Sequence, residues 1–176
     1  MATTNLTGRT GVSIELKNVE LLATKLEEVL DELNIKTSIK WSFGDQAKQC
    51  NVLLHEKLTI TQGQAQTLNL YDTGASALQD AFGNDLTMEA IKFLYIKNTS
   101  EDLYIEIFGG GSDDLLLMVP SGAENVDTMK IKPEGFFLWA DPSIAGIVTT
   151  SKKNLKFLVG AGSGNAIIDV VAMGLD

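Results

Sequence analysis

Cys50 and His55 are the only cysteine and the only histidine among 176 residues. A thiol beside an imidazole could make an activated nucleophile, with the ring as its general base. These two lie five residues apart, and on one strand an odd separation sends them to opposite faces. A dyad is therefore not expected. A zinc site would need further histidines or a Cys-x-x-Cys pair, and the chain has neither. Cys50 reads as a small buried hydrophobe.

Other residue groups point to other chemistries. Gly160-Ala161-Gly162-Ser163-Gly164 has the glycine content of a phosphate-cradling loop. Such loops open a helix whose N-terminus faces the anion, whereas here an alternating strand pattern follows, so a hairpin turn is expected. Gly109-Gly110-Gly111-Ser112-Asp113-Asp114 could offer oxygens to calcium but lacks the spaced acidic ligands of an EF-hand loop; a surface loop is expected. Asp113, Asp114, Glu134 and Asp141 are scattered among turns, and a glycosidase-like pair depends on distances the fold must set. Trp41 and Trp139 could form a sugar-stacking platform, yet each sits in an alternating or apolar run that suits core packing. No catalytic, cofactor-binding or metal-binding residue is assigned, and a non-enzymatic scaffold is expected.

The bulk properties narrow the partners. Acidic residues outnumber basic ones 23 to 14, for a formal charge of −9. That opposes binding to phosphate backbones, so nucleic acid is not an expected partner. No apolar run approaches the ~20 residues that span a bilayer, so no membrane is expected either. Met1 to Thr10 is polar and lacks the apolar stretch of a secretory signal.

The elements that must position these residues are mostly strands. Residues 1–11 read as a polar arm. From Val19 to Leu33 the residues Leu22, Leu26, Val29 and Leu33 recur at spacings of four, three and four, which predicts an amphipathic helix ending near Asn34. Its apolar face either caps the domain or joins copies together, and these four residues are the candidate assembly interface. From Lys36 the period changes to two, with Ile39, Trp41 and Phe43 on one side. Further alternating runs include Leu58/Ile60, Leu68/Leu70, Ile91/Phe93/Tyr95, Leu103/Ile105/Ile107 and Leu155/Phe157/Val159. Gly83-Asn84 supplies a turn, and the break at Asn98-Thr99-Ser100-Glu101 suits a hairpin. Nine to eleven closely spaced strands without intervening helices predict a mainly β fold, an antiparallel sandwich resembling a jelly roll, with one N-terminal helix. The domain boundaries are 1–36 for the arm and helix, and 37–176 for the sandwich.

From about Trp41 onward the order of features resembles a group of tailed-bacteriophage virion proteins. The segments that carry it are WSFGDQAKQCNVLL, LTITQGQAQTLNL, DAFGNDLTMEAIKFLYIKN, IKPEGFFLWADPSIAGIVTT and LKFLVGAGSGNAIIDVVAMG. The resemblance covers roughly three quarters of the chain and rests on a pattern of strands and turns. It implies a jelly-roll-like sandwich that decorates or cements the capsid exterior. Such proteins bind the major capsid protein at capsomer junctions, often as homotrimers, and assemble in the host cytoplasm. It carries over no catalytic residue and no cofactor. A second reading from the residues is a tail-fibre or receptor-binding module that grips carbohydrate, which requires an exposed Trp41 or Trp139.

Overall fold

The computed structural model describes residues 8–22, 27–72, 77–80, 85–109, 113–115, 117, 128–151 and 153–176. Among these the chain is mainly β, in several antiparallel sheets, with no helix. The strands are β1 (Gly8–Leu22), β2 (Glu27–Phe43), β3 (Gln49–Cys50), β4 (Val52–Thr61), β5 (Ala65–Asn69), β6 (Leu78–Gln79) and β7 (Asp85–Leu86). They continue with β8 (Ala90–Asn98), β9 (Ile105–Phe108), β10 (Thr128–Ile131), β11 (Phe136–Ala140), β12 (Ile147–Val148), β13 (Asn154–Val159) and β14 (Asn165–Leu175).

Two sheets form the body. One has the order β10-β9-β13-β5, and the other β11-β8-β14-β4 with β12 also paired to β8. Alternation explains why these segments are strands: along β13 the pattern is Leu155, Phe157 and Val159 buried, with Lys156 and Leu158 between them half-buried. Buried side chains of both sheets make one hydrophobic cluster. Leu54, Leu94, Ile96 and Val170 come from one sheet, and Leu68, Ile105, Leu155 and Phe157 from the other. Each such side chain contributes ~1.5–3 kcal/mol relative to exposure.

The breaks between strands pass from one sheet to the other. The Asn98–Glu101 segment leads from β8 to β9, which lie in different sheets, so the expected hairpin is not formed there. Asn98 is buried, and its Nδ2 donates to the carbonyls of Leu103 (2.7 Å) and Ile131 (3.1 Å). This holds the corner where the chain changes sheets. Gly160–Gly164 likewise joins β13 to β14 across the layers rather than turning a hairpin. In both cases a turn-forming composition marks a reversal but carries no information about which strand the next one pairs with. The Gly83-Asn84 turn lies outside the described residues.

The expected face of Ile91, Phe93 and Tyr95 is also corrected. Ile91 joins the cluster between the sheets, while Phe93 and Tyr95 belong to a second cluster. The ladder to β14 pairs Phe93 with Met173 but Ile91 with Gly174, leaving Lys92 as an extra residue. A β-bulge of this kind breaks strict alternation and re-aims the side chains around it. Gly174 lets the strands approach here, because a β-carbon on it would overlap the Ala90 carbonyl.

The N-terminal helix is not formed. β1 and β2 occupy the described part of Val19 to Leu33 and pair antiparallel along their whole length, from Gly8 opposite Trp41 to Leu22 opposite Glu27. The strand period is present in the sequence on both sides of the misread stretch. Val12, Ile14 and Leu16 alternate with Ser13 and Glu15, and the register aligns them with Thr37, Ile35 and Leu33. Apolar pairs placed opposite one another across a ladder stabilise it by ~0.2–1 kcal/mol each, a gain that a helix read from local spacing does not include. Gly8–Gly11, expected in a polar arm, is the start of β1; residues 1–7 lie outside the described residues.

Candidate functional site: the arm and its root

β1 and β2 form a two-stranded arm. Its only further strand partner among the described residues is β3, which pairs parallel with β2 at Ser42 and Phe43. A strand of 17 residues spans about 55 Å at ~3.3 Å per residue. Among the described residues the outer edge of β1 therefore has no strand partner along its length, nor has the second edge of β2 before Ser42. Open edges present unpaired N–H and C=O groups and favour pairing with another chain.

The root of the arm is well anchored. Trp41 and Cys50 are buried against Phe93 and Met173, with Ile39, Tyr95, Leu138, Ala140 and Val171 packed around them. These body residues come from β8, β11 and β14, so the root covers the face of their sheet opposite the main core. That explains why Ala90 to Leu94 are buried without alternation. Polar contacts complete the anchor. The bulge residue Lys92 is fully buried, and its ammonium donates to the carbonyls of Gln46 (2.8 Å) and Gln49 (3.1 Å). The Lys48 amide donates to the Pro142 carbonyl at 2.9 Å, and Gly44, at φ 139°, donates its amide to the Cys50 carbonyl. Cys50 is bounded by this apolar packing, and burial pushes its thiol up to about 11 against the opposing influence of the Lys92 charge.

The chemistry-bearing candidates do not converge. Cys50 is buried on β3, whereas His55 is exposed on β4, where it pairs with Val171. Asp114 is buried and holds Lys156 at 2.7 and 2.9 Å through its two carboxylate oxygens. It closes the body beside Asn154 rather than facing an open loop; Gly110, Gly111 and Ser112 lie outside the described residues. Asp141 accepts from the Ser143 amide at 2.8 Å, and Glu134 lies 3.6 Å from Lys97. Among the described residues no group of three or more His, Cys, Asp or Glu is placed to hold a metal ion. Trp41 is buried, and Trp139 is half-buried against the main core.

Of the four candidate interface residues, Leu22 ends β1 opposite Glu27, Val29 lies opposite Glu20 and Leu33 opposite Leu16. All three fall at alternate positions of one row of the ladder. Leu26 lies outside the described residues. Comparison with protein-family models, with curated proteins and with solved structures finds no match. The arm is thus identified by its own geometry. Sequence reasoning missed β1 as a strand and missed Lys92 altogether. The alternation of Val12, Ile14 and Leu16 was the available signal for the first; a bulge leaves no local signal for the second.

Proposed function

We propose that this chain is a non-enzymatic structural protein of a tailed-bacteriophage virion, a decoration or cement protein seated on the capsid exterior. In this reading the body is a jelly-roll β-sandwich and the arm is its assembly element. The strand orders β4-β14-β8-β11 and β5-β13-β9-β10, with the chain crossing repeatedly between the sheets, are those of two interleaved Greek keys. The observation that carries the functional reading is the arm itself: a long ribbon with open edges, fixed at its root to a body with its own core. An isolated two-stranded hairpin is marginal in water, so a partner that completes it gives the ribbon a reason to exist. A cement protein requires a stiff body and a reaching contact element, and multivalent seating multiplies modest contacts into firm retention. Its partners are then the major capsid protein and further copies of itself.

The carbohydrate-binding alternative rests on the half-buried Trp139 alone, because Trp41 is buried in the root and cannot offer a stacking face.

Immunogold labelling of virions of the phage that encodes the chain tests the proposal. Label over the capsid exterior is expected. Label confined to the tail, or absent from purified particles, overturns it. Removing residues 1–36 sharpens the role of the arm. The shortened chain should keep the cooperative unfolding of the body and lose capsid binding.

A further inference from the structure

The arm reverses its charge along its length. The root half, residues 8–14 with 35–43, carries Arg9, Lys36 and Lys40 and no acidic residue. All three side chains are exposed. The distal half, residues 15–22 with 27–34, carries Glu15, Glu20, Glu27, Glu28, Asp31 and Glu32 against Lys17, with Lys25 in the residues that connect the strands.

The ladder does not neutralise either half. Arg9 stands directly opposite Lys40, and like charges so placed destabilise a strand pair. Arg9 turns to Ser38 instead, with Nη2 donating to the hydroxyl at 2.8 Å. In the distal half the register gives one opposite-charge pair, Lys17 with Glu32, while Glu20, Glu27, Glu28 and Asp31 stand opposite Val29, Leu22, Leu21 and Asn18. The halves screen each other only where they meet, at Glu15 and Lys36, which are diagonal neighbours across the ladder; Arg9 and Lys40 lie six residues, about 20 Å, from Glu15 along the ribbon, beyond the Debye length of about 8 Å at physiological salt. The in-chain excess is therefore positive at the root and negative beyond it.

A second arm laid antiparallel on the first matches both halves at once: acidic distal half on basic root half, twice, about a two-fold axis. This is the self-complementarity that an isologous interface requires. It uses open edges of the kind that strands employ in β-augmentation. We infer that the partner of the arm is a second copy of this chain, docked antiparallel through the charge-reversed ribbon. The inference rests on the arm being the assembly element proposed above and names its occupant.

The test is a charge swap in the full chain. One variant reverses the root (R9E/K36E/K40E), and the other reverses the distal half (E28K/D31K/E32K). Sedimentation of the unaltered chain at low salt should give twice the 19.0 kDa of a single chain, shifting to single chains toward 1 M salt, where the Debye length falls to ~3 Å. Each variant alone should remain single, because like charges now oppose in both halves. An equimolar mixture of the two should recover the pair, since acidic root meets basic tip and basic root meets acidic tip. Cooperative urea unfolding of the body, unchanged in both variants, establishes that the fold is intact.

Several results would overturn the inference: an unaltered chain that is single at every salt concentration, a trimer, variants as paired as the parent, or a mixture that stays single. Failure here is distinguishable from failure of the virion reading. Single chains that still label the capsid would sink the pairing alone, and paired chains absent from the particle would sink the virion role alone.

Discussion

The body and the arm are built from the same element and solve opposite problems. In the body, the central strands β8 and β14 are paired on both edges and covered on both faces, by the opposite sheet and by the arm root. In the arm, two strands of 15 and 17 residues pair with each other and, among the described residues, gain one further strand partner, β3 at Ser42 and Phe43. The first arrangement satisfies its hydrogen bonds and apolar surface internally. The second leaves part of it unmet among the described residues. The body and the arm are therefore distinct in what holds them, with the root as the seam between them.

Substitutions should divide along that seam. The largest effect is expected at Phe157, which is fully buried between the sheets. Phe157→Ala should cost about 4 kcal/mol in urea unfolding, and a loss below about 1 kcal/mol would break the claim that the shared core carries the body. At the root, Trp41→Ala should cost about 3 kcal/mol and, in addition, open the Phe43–Gln49 segment to limited proteolysis while the body persists. Simultaneous loss of body and arm would merge the two regions.

Lys92→Met should act on the seam alone. It removes two hydrogen bonds of about 1 kcal/mol each and also relieves a buried charge of its desolvation. Global stability should move by no more than about 1 kcal/mol, with faster amide exchange at Lys48 and Gln49 as the specific sign. On the arm, Lys36→Ala should change unfolding by less than about 0.5 kcal/mol, as exposed positions do.

The effect of pH on Cys50 is confined to alkaline solution. Its folded thiol titrates near 11 rather than the ordinary 9.0. Between those values the unfolded chain releases a proton that the folded chain keeps, so stability should fall as pH rises from about 9 to about 11. Below 9 this group contributes no slope. Cys50→Ala should remove that alkaline decline, and an unchanged profile would show that the root is more open than the structure implies.

These contrasts also explain what could be read from the residues in order. The body strands were legible because one buried face imposes alternation: Leu155/Phe157/Val159 and Leu58/Ile60 fell where expected. The mainly β class followed from them. The arm was not legible, because Leu22, Leu26, Val29 and Leu33 satisfy a helical spacing, while the competing ladder joins residues as distant as Gly8 and Trp41. A local window cannot weigh a partner more than thirty residues away. The turns at Asn98–Glu101 and Gly160–Gly164 were located but misassigned, since sheet membership is decided by the strands that follow them. The four-residue interface was named as a helix face. Its location in the N-terminal segment, as a candidate for assembly, is retained in the proposal, whereas the charged positions Arg9, Lys36 and Lys40 emerged only once β1 and β2 were aligned.

The bulge at Lys92 has a mechanical corollary. Its ammonium grips the loop after β2, and its backbone belongs to the middle of a sheet rather than to an edge. A pull on the arm is therefore delivered to a strand bonded on both sides, where rupture requires many bonds to shear together. An anchorage of that kind lets a load on the arm be borne without unzipping the body.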